Sequence, residues 1–248
     1  MIVIKTPLEL EAMRRVNRRT AQLRDALAAM VRPGITTREL GDAAQELIRS
    51  FGGVSAFYGY HGFPGSICVS VNEEVVHGIP GNRVIREGDL VSIDTGMVLD
   101  GFVGDTAVTV GAGQIDSECC RLLEVTRAAL AAGVAHAVAG NHLGDISHAI
   151  QSTVEAAGFS VVREFVGHGI GRDLHEDPQI PNYGKPGRGP KLKPGMTLAI
   201  EPMVNMGGRK VRVLEDRWTA VTCDGQPSAH FEHTVAVGVC APEILTLP

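Results

Sequence analysis

The strongest constraint on this chain of 248 residues is that it reads twice. Gly34 answers Gly140 and Gly52 answers Gly158. At a separation one residue longer, His61-Gly62 answers His168-Gly169, Cys68 answers His175, and REGDLVSID from Arg86 answers KPGMTLAIE from Lys193, so that Asp94 falls on Glu201. Further on, GDTAVTVG from Gly104 resembles FEHTVAVG from Phe231 and sets Asp105 over Glu232, across an insertion after Pro202 that contains Trp218. An ordered series at nearly constant spacing marks a repeat whose units bury their faces against one another. The expected arrangement is one domain over residues 1–248, with halves of about 1–112 and 113–248 related by a pseudo-twofold axis and four carboxylates meeting at its centre.

Local signals fill in each half. Thr6-Pro7-Leu8-Glu9 and Thr36-Thr37-Arg38-Glu39 are capping boxes that start two amphipathic helices, the first stopped by Pro33-Gly34 and the second by Gly52-Gly53. Short apolar runs cut by Gly and Pro follow as strands, and after Gly113 the order helix, helix, strands returns, with helices near 116–138 and 145–157. Within VSIDTGMVLDGFVGDTAVTV, the pair Asp100-Gly101 is a two-residue hairpin turn, because both positions of a type I′ turn need positive φ. That turn pairs Leu99 with Phe102, Asp94 with Ala107 and Asp105 with Gly96, which puts both acids on one face as diagonal neighbours.

Composition narrows the class without naming it. The charged fraction of 21% and hydrophobic fraction of 44% describe a folded chain, and the net charge of -5 gives no general attraction to nucleic acid. The five cysteines (Cys68, Cys119, Cys120, Cys223, Cys240) are odd in number and lack C-x-x-C spacing, as expected of thiols in a reducing, cytoplasmic compartment. No stretch is long and apolar enough to span a bilayer.

Asp94, Asp105, His168, Glu201 and Glu232 form a donor set of four hard carboxylates and one imidazole, suited to two divalent cations. Such a pair activates water for hydrolysis. Cobalt, manganese, iron and zinc all remain open as its occupants. His168-Gly169-Ile170-Gly171-Arg172-Asp173-Leu174-His175 is rich in glycine and polar residues and reads as a loop. His77 and His175 are left to hydrogen-bond a substrate or a developing oxyanion, while His61, Tyr60, Phe63 and Cys68 are expected to wall a small apolar pocket.

Taken together, VSVNEEVVHGIPG, the pair IDTG and GDTA, GHGIGRDLHEDP, AIEPM and HFEHTVAV resemble type I methionine aminopeptidases over nearly the whole chain. The resemblance implies an α+β pita-bread fold, with antiparallel sheet inside and helices outside, and removal of the initiator methionine from new polypeptides whose second residue is small. It implies that Asp105 and Glu232 bridge two metals, that Asp94 completes one and His168 with Glu201 the other, and that Glu201 assists proton transfer. His77 and His175 would position the scissile amide. The family's methionine pocket falls on Phe57, Tyr60, Phe63, Cys68, Leu174 and Trp218, with Phe57 and Leu174 departing from common members. The implied partners are N-termini of nascent peptides, with room for transient ribosome association. A cytoplasmic monomer without membrane or specific nucleic-acid binding is expected. A proline-directed peptidase of the same fold, or a dead module that only binds, are the alternatives; the intact ligand set argues against the latter.

Overall fold

The computed structural model describes residues 1–248. Helix α1 (Pro7–Met30) and helix α2 (Thr37–Ser50) both start on full capping boxes, at Thr6 and Thr36. The strands β1 (Val54–Ser55), β2 (Cys68–Val71) and β3 (Glu74–Val76) lead to the long hairpin of β4 (Leu90–Leu99) and β5 (Phe102–Gly111). Its turn has φ of 53° at Asp100 and 74° at Gly101, the positive pair that the Asp-Gly dipeptide tolerates best. Leu99 faces Phe102 as the turn requires, and the ladder runs unbroken to Leu90 opposite Gly111.

The second half repeats the order. Helix α3 (Ser117–Ala135) and helix α4 (Leu143–Ala156) precede β6 (Ser160–Val161), β7 (Val166–Gly169), β8 (Glu176–Pro181), β9 (Thr197–Ile200) and β10 (Met203–Asn205). The insertion carries β11 (Val211–Val213) and β12 (Ala220–Thr222), and β13 (Ser228–His230), β14 (His233–Ala236) and β15 (Glu243–Ile244) complete the chain. Every strand pair is antiparallel. In the first half β4 lies between β2 and β5, and in the second β9 lies between β7 and β14.

Each sheet is covered on its outside by its own pair of helices. One apolar cluster packs Met13, Val16, Leu23, Leu27, Leu40 and Ile48 of α1 and α2 against Ile93 and Met97. The other packs Leu122, Leu130, Ile146 and Ile150 of α3 and α4 against Leu198, Ile200 and Val235. A matched pair of hydrogen bonds stitches the halves together: Thr109 Oγ1 donates to the His230 carbonyl and Thr234 Oγ1 to the Asp105 carbonyl, both at 2.8 Å. This is the antiparallel, helix-outside α+β architecture of the pita-bread fold.

The matched bonds correct the pairing of the repeats. Thr109 corresponds to Thr234, so Asp105 corresponds to His230 and Glu232 to Ala107. The ladders agree, because Gly96 faces Asp105 and Met203 faces His230. Reading GDTAVTVG against FEHTVAVG is therefore two residues out of step. A shift of two leaves each side chain on the same face, which is why both acids still point to the seam. In the same way His168 faces Ala199 while Ser70 faces Ser92, so the counterpart of His168 is Ser70 and not His61.

Candidate active site

Asp94 and Asp105 stand on the β4–β5 ladder in the expected register, opposite Ala107 and Gly96. Glu201 follows β9, where Pro202 interrupts the strand, and Glu232 precedes β14. His168 lies on β7, opposite Ala199, and so on a strand rather than in the loop expected from its glycines. Those glycines serve close packing: a Cβ at Gly167 or Gly169 would strike the backbone of Ala199 or Asp177. All five side chains line one cavity of about 170 Å³. His168 Nε2 is 3.5 Å from Glu201 Oε1 and 3.7 Å from Asp105 Oδ2. Asp105, His168 and Glu232 each bring a ligand atom within 4.8 Å of the others.

The electrostatics ask for a cation. Asp94 Oδ1, Asp105 Oδ1 and Glu232 Oε1 are buried with no hydrogen-bond partner. Burial pushes Asp94 from 3.8 up to about 7, with Glu201 adding to the rise and His230 opposing it. Burial likewise takes Glu201 from 4.5 to about 8. Asp105 and Glu232 move strongly the same way, through burial first and then their acidic neighbours. Side by side and dry, such carboxylates ionise only against positive charge. His168 Nδ1 lies 2.9 Å from the Gly169 carbonyl, which can only accept, so Nδ1 carries the proton and Nε2 turns its lone pair into the space among the acids, where it is available to a cation. Burial holds this ring neutral, with its pKa lowered to about 3. Oxygen-rich donors, one neutral imidazole and orphaned carboxylate atoms fit divalent cations.

The same cavity is also lined by Phe57, Tyr60, Phe63, Cys68, Leu174 and Trp218, which give it an apolar wall. Trp218 reaches it from the insertion and meets Phe63 edge-on at 5.0 Å. Phe57 fits because residue 96 is glycine, where a Cβ would meet its ring. His61 is absent from the lining and lies exposed in a short turn, which corrects its expected place in the wall. His77 and His175 border both this cavity and a second one of about 220 Å³, which also touches Asp94, Glu201, Val76, Phe165, Met203 and His230. His175 Nδ1 is 2.6 Å from the Tyr60 hydroxyl. His77 adopts a left-handed φ of 61°, packs edge-on against Phe165 at 5.2 Å, and is held neutral by burial, its pKa lowered to about 4.

One residue of the site went unread in the sequence. His230 is buried, its Nε2 lacks a hydrogen-bond partner, and that atom lies 3.6 Å from Glu201 Oε2. Period-two alternation in SAHFEH, which puts His230 and Glu232 on one face, was the available signal.

A seam between two repeated halves, holding buried acids and a neutral imidazole beside an apolar slot, has the make-up of a metal-dependent hydrolase. The comparisons narrow this class. The model of metallopeptidase family M24 matches residues 11–238, and the chain belongs to that family. It is 55% identical over 246 residues to methionine aminopeptidase 1 of Bacillus subtilis (strain 168), covering 99% of each chain. It is 52% identical to the methionine aminopeptidase of Clostridium perfringens, covering 100% of this chain and 99% of that one. The crystal structure of a methionine aminopeptidase from Thermotoga maritima superposes with a TM-score of 0.98 at 48% identity, with full coverage of both chains. A prolidase from Pyrococcus furiosus, at 21% identity and a TM-score of 0.81 over 66% of its chain, shares the fold.

Proposed function

We propose that this chain is a methionyl aminopeptidase, hydrolysing the first peptide bond of nascent polypeptides that begin with methionine followed by a small residue. The observation that carries the reading is the single cavity in which the buried acids share a lining with Phe57, Phe63, Leu174 and Trp218, an apolar slot beside the cation-seeking cluster. Methionine is long, unbranched and polarizable, and such a slot selects it by fit and burial. The second cavity, walled by Val76, Phe165 and Met203, is assigned to the next residue of the peptide.

Asp94, Asp105, His168, Glu201 and Glu232 are assigned to two divalent ions, drawn from cobalt, manganese, iron and zinc. When bound, such ions supply an activated water and polarise the scissile carbonyl. Glu201, at the junction of the two cavities, accepts a proton from the attacking water and passes it toward the leaving amine. His175 is turned by Tyr60 through Nδ1, which leaves Nε2 free to donate to the developing oxyanion. His77, neutral and fixed between Phe165 and Trp218, positions the scissile amide. Tyr60, Phe63, Cys68 and Trp218 hold the methionine side chain. The protein is assigned to the cytoplasm as a monomer that meets chains emerging from the ribosome; no helix is long and apolar enough to cross a membrane.

The test is to strip the protein of metal, add back each divalent ion separately, and assay Met-Ala-Ser beside Leu-Ala-Ser and an X-Pro peptide. Metal-restored cleavage of Met-Ala-Ser alone supports the reading. Preference for the X-Pro peptide overturns it in favour of a proline-directed peptidase.

A further inference from the structure

The segment Ile170–His175 between β7 and β8 carries Leu174, part of the slot wall, and His175, yet it has no regular secondary structure of its own. The His175 ring reaches Tyr60, and Tyr60 itself sits on an irregular turn. What holds the segment lies on its far side. The Glu176 carboxylate accepts the Arg172 backbone N–H through Oε1 at 3.0 Å, closing the segment on itself, and pairs through Oε2 with Lys5. Both side chains of that pair are buried, 3% exposed for Lys5 and 8% for Glu176. Lys5 is fixed in turn, its backbone N–H donating to the Gly195 carbonyl at 2.8 Å. A Cβ at Gly171 would meet both the Lys5 stem and the Glu176 carboxylate. A second tie runs parallel to this one: Glu9, in the first turn of α1, lies 3.3 Å from the Arg172 guanidinium, which also stacks over Phe102.

We propose that Lys5 is a positioning residue for His175, acting through Glu176. The segment before α1 works as a strap that sets the height of the Gly171–His175 segment over the cavity. The argument rests on the reading that His175 donates to the reacting amide. The Lys5–Glu176 pair is the tie between the segment before α1 and the residue next to His175; with that tie removed the Gly171–Glu176 segment is no longer held at a fixed height, and its movement carries the adjoining His175 with it. Misplacing a catalytic donor by a fraction of an ångström lowers turnover while leaving ground-state binding nearly intact.

The experiment is a double-mutant cycle on the metal-loaded enzyme. Its working variant is Lys5→Met/Glu176→Gln, which removes both charges together, so neither is left buried and unpaired and the chain folds even where Lys5→Met alone does not. In the presence of His175 this variant is expected to lower kcat on Met-Ala-Ser about tenfold or more, with KM and bound metal unchanged within about twofold; in a His175→Ala background it should lower kcat less than about twofold. Equal losses in the two backgrounds would show a general structural role and overturn the proposal. Should the wild-type protein not cleave Met-Ala-Ser, the functional reading fails separately. The strap is then judged by hydrogen exchange: faster exchange confined to residues 171–176 in the variant supports it, and unchanged exchange there removes it.

Discussion

His77 and His175 line both cavities, and neither belongs to the acidic cluster that asks for cations. Both rings have lowered pKa values, His77 to about 4 through burial and then His230, and His175 through partial desolvation and then His61. They are thus hydrogen-bonding groups rather than fixed charges. His77→Ala and His175→Ala are each expected to lower kcat about 10²- to 10⁴-fold, the usual loss for a positioned donor or proton-transfer group. Metal content measured on the same samples should stay at the wild-type level. If metal and activity fall together on titration, these two residues are ligands, and their assignment here is wrong.

At the level of elements, the β4–β5 hairpin was legible in full because a two-residue Asp-Gly turn sets the register of everything behind it. Helices α1 and α2 were legible because their caps and apolar periodicity are local, and α3 and α4 because the second half repeats their order. The second-half strands were less so. His168 looked like a loop residue because a strand buried between β8 and β9 uses Gly167 and Gly169 for close backbone approach, and glycine in sequence signals turns. His230 was missed because the ladder is interrupted at Glu201-Pro202, which hides the continuity of β9 with β10 and of β13 with β14. Facing elements also set the slot. Gly96 on β4 lies under Phe57, and a Cβ there would come within 2.9 Å of Cδ1 and Cζ of that ring. Gly96→Ala should push the ring into the cavity and lower kcat/KM on Met-Ala-Ser by about tenfold or more, the scale at which a pocket senses one methylene. Cys68→Ala, opposite Asp94 on β2, should do the reverse and narrow the ratio of kcat/KM between Met-Ala-Ser and Leu-Ala-Ser. Unaltered kinetics in both variants would remove this wall from the specificity pocket.

For the molecule as a whole, the seam has a thermodynamic signature. Asp94 and Glu201 ionise near 3.8 and 4.5 when unfolded and near 7 and 8 when folded. The metal-free folded chain therefore holds protons that the unfolded chain releases. The stability these groups contribute is complete below their unfolded values and is lost as pH rises through 7 to 8. His77 and His168 act in the opposite sense, with folded values near 4 and 3 against 6.5, and their cost appears only as pH falls below 6.5. Between about pH 6.5 and 8.5, then, the Tm of metal-free protein should fall with rising pH, and a saturating divalent ion should raise Tm and flatten that slope. A metal-free Tm that is level across this range would mean the acids are not burdened as described. The slot has a consequence in time as well. On the proposed reading, removal of methionine leaves a terminus with a small side chain, which cannot fill the space walled by Phe57, Phe63, Cys68 and Leu174. The reaction thus ends itself after one cycle, and a chain trimmed once is released with its second residue as the permanent first.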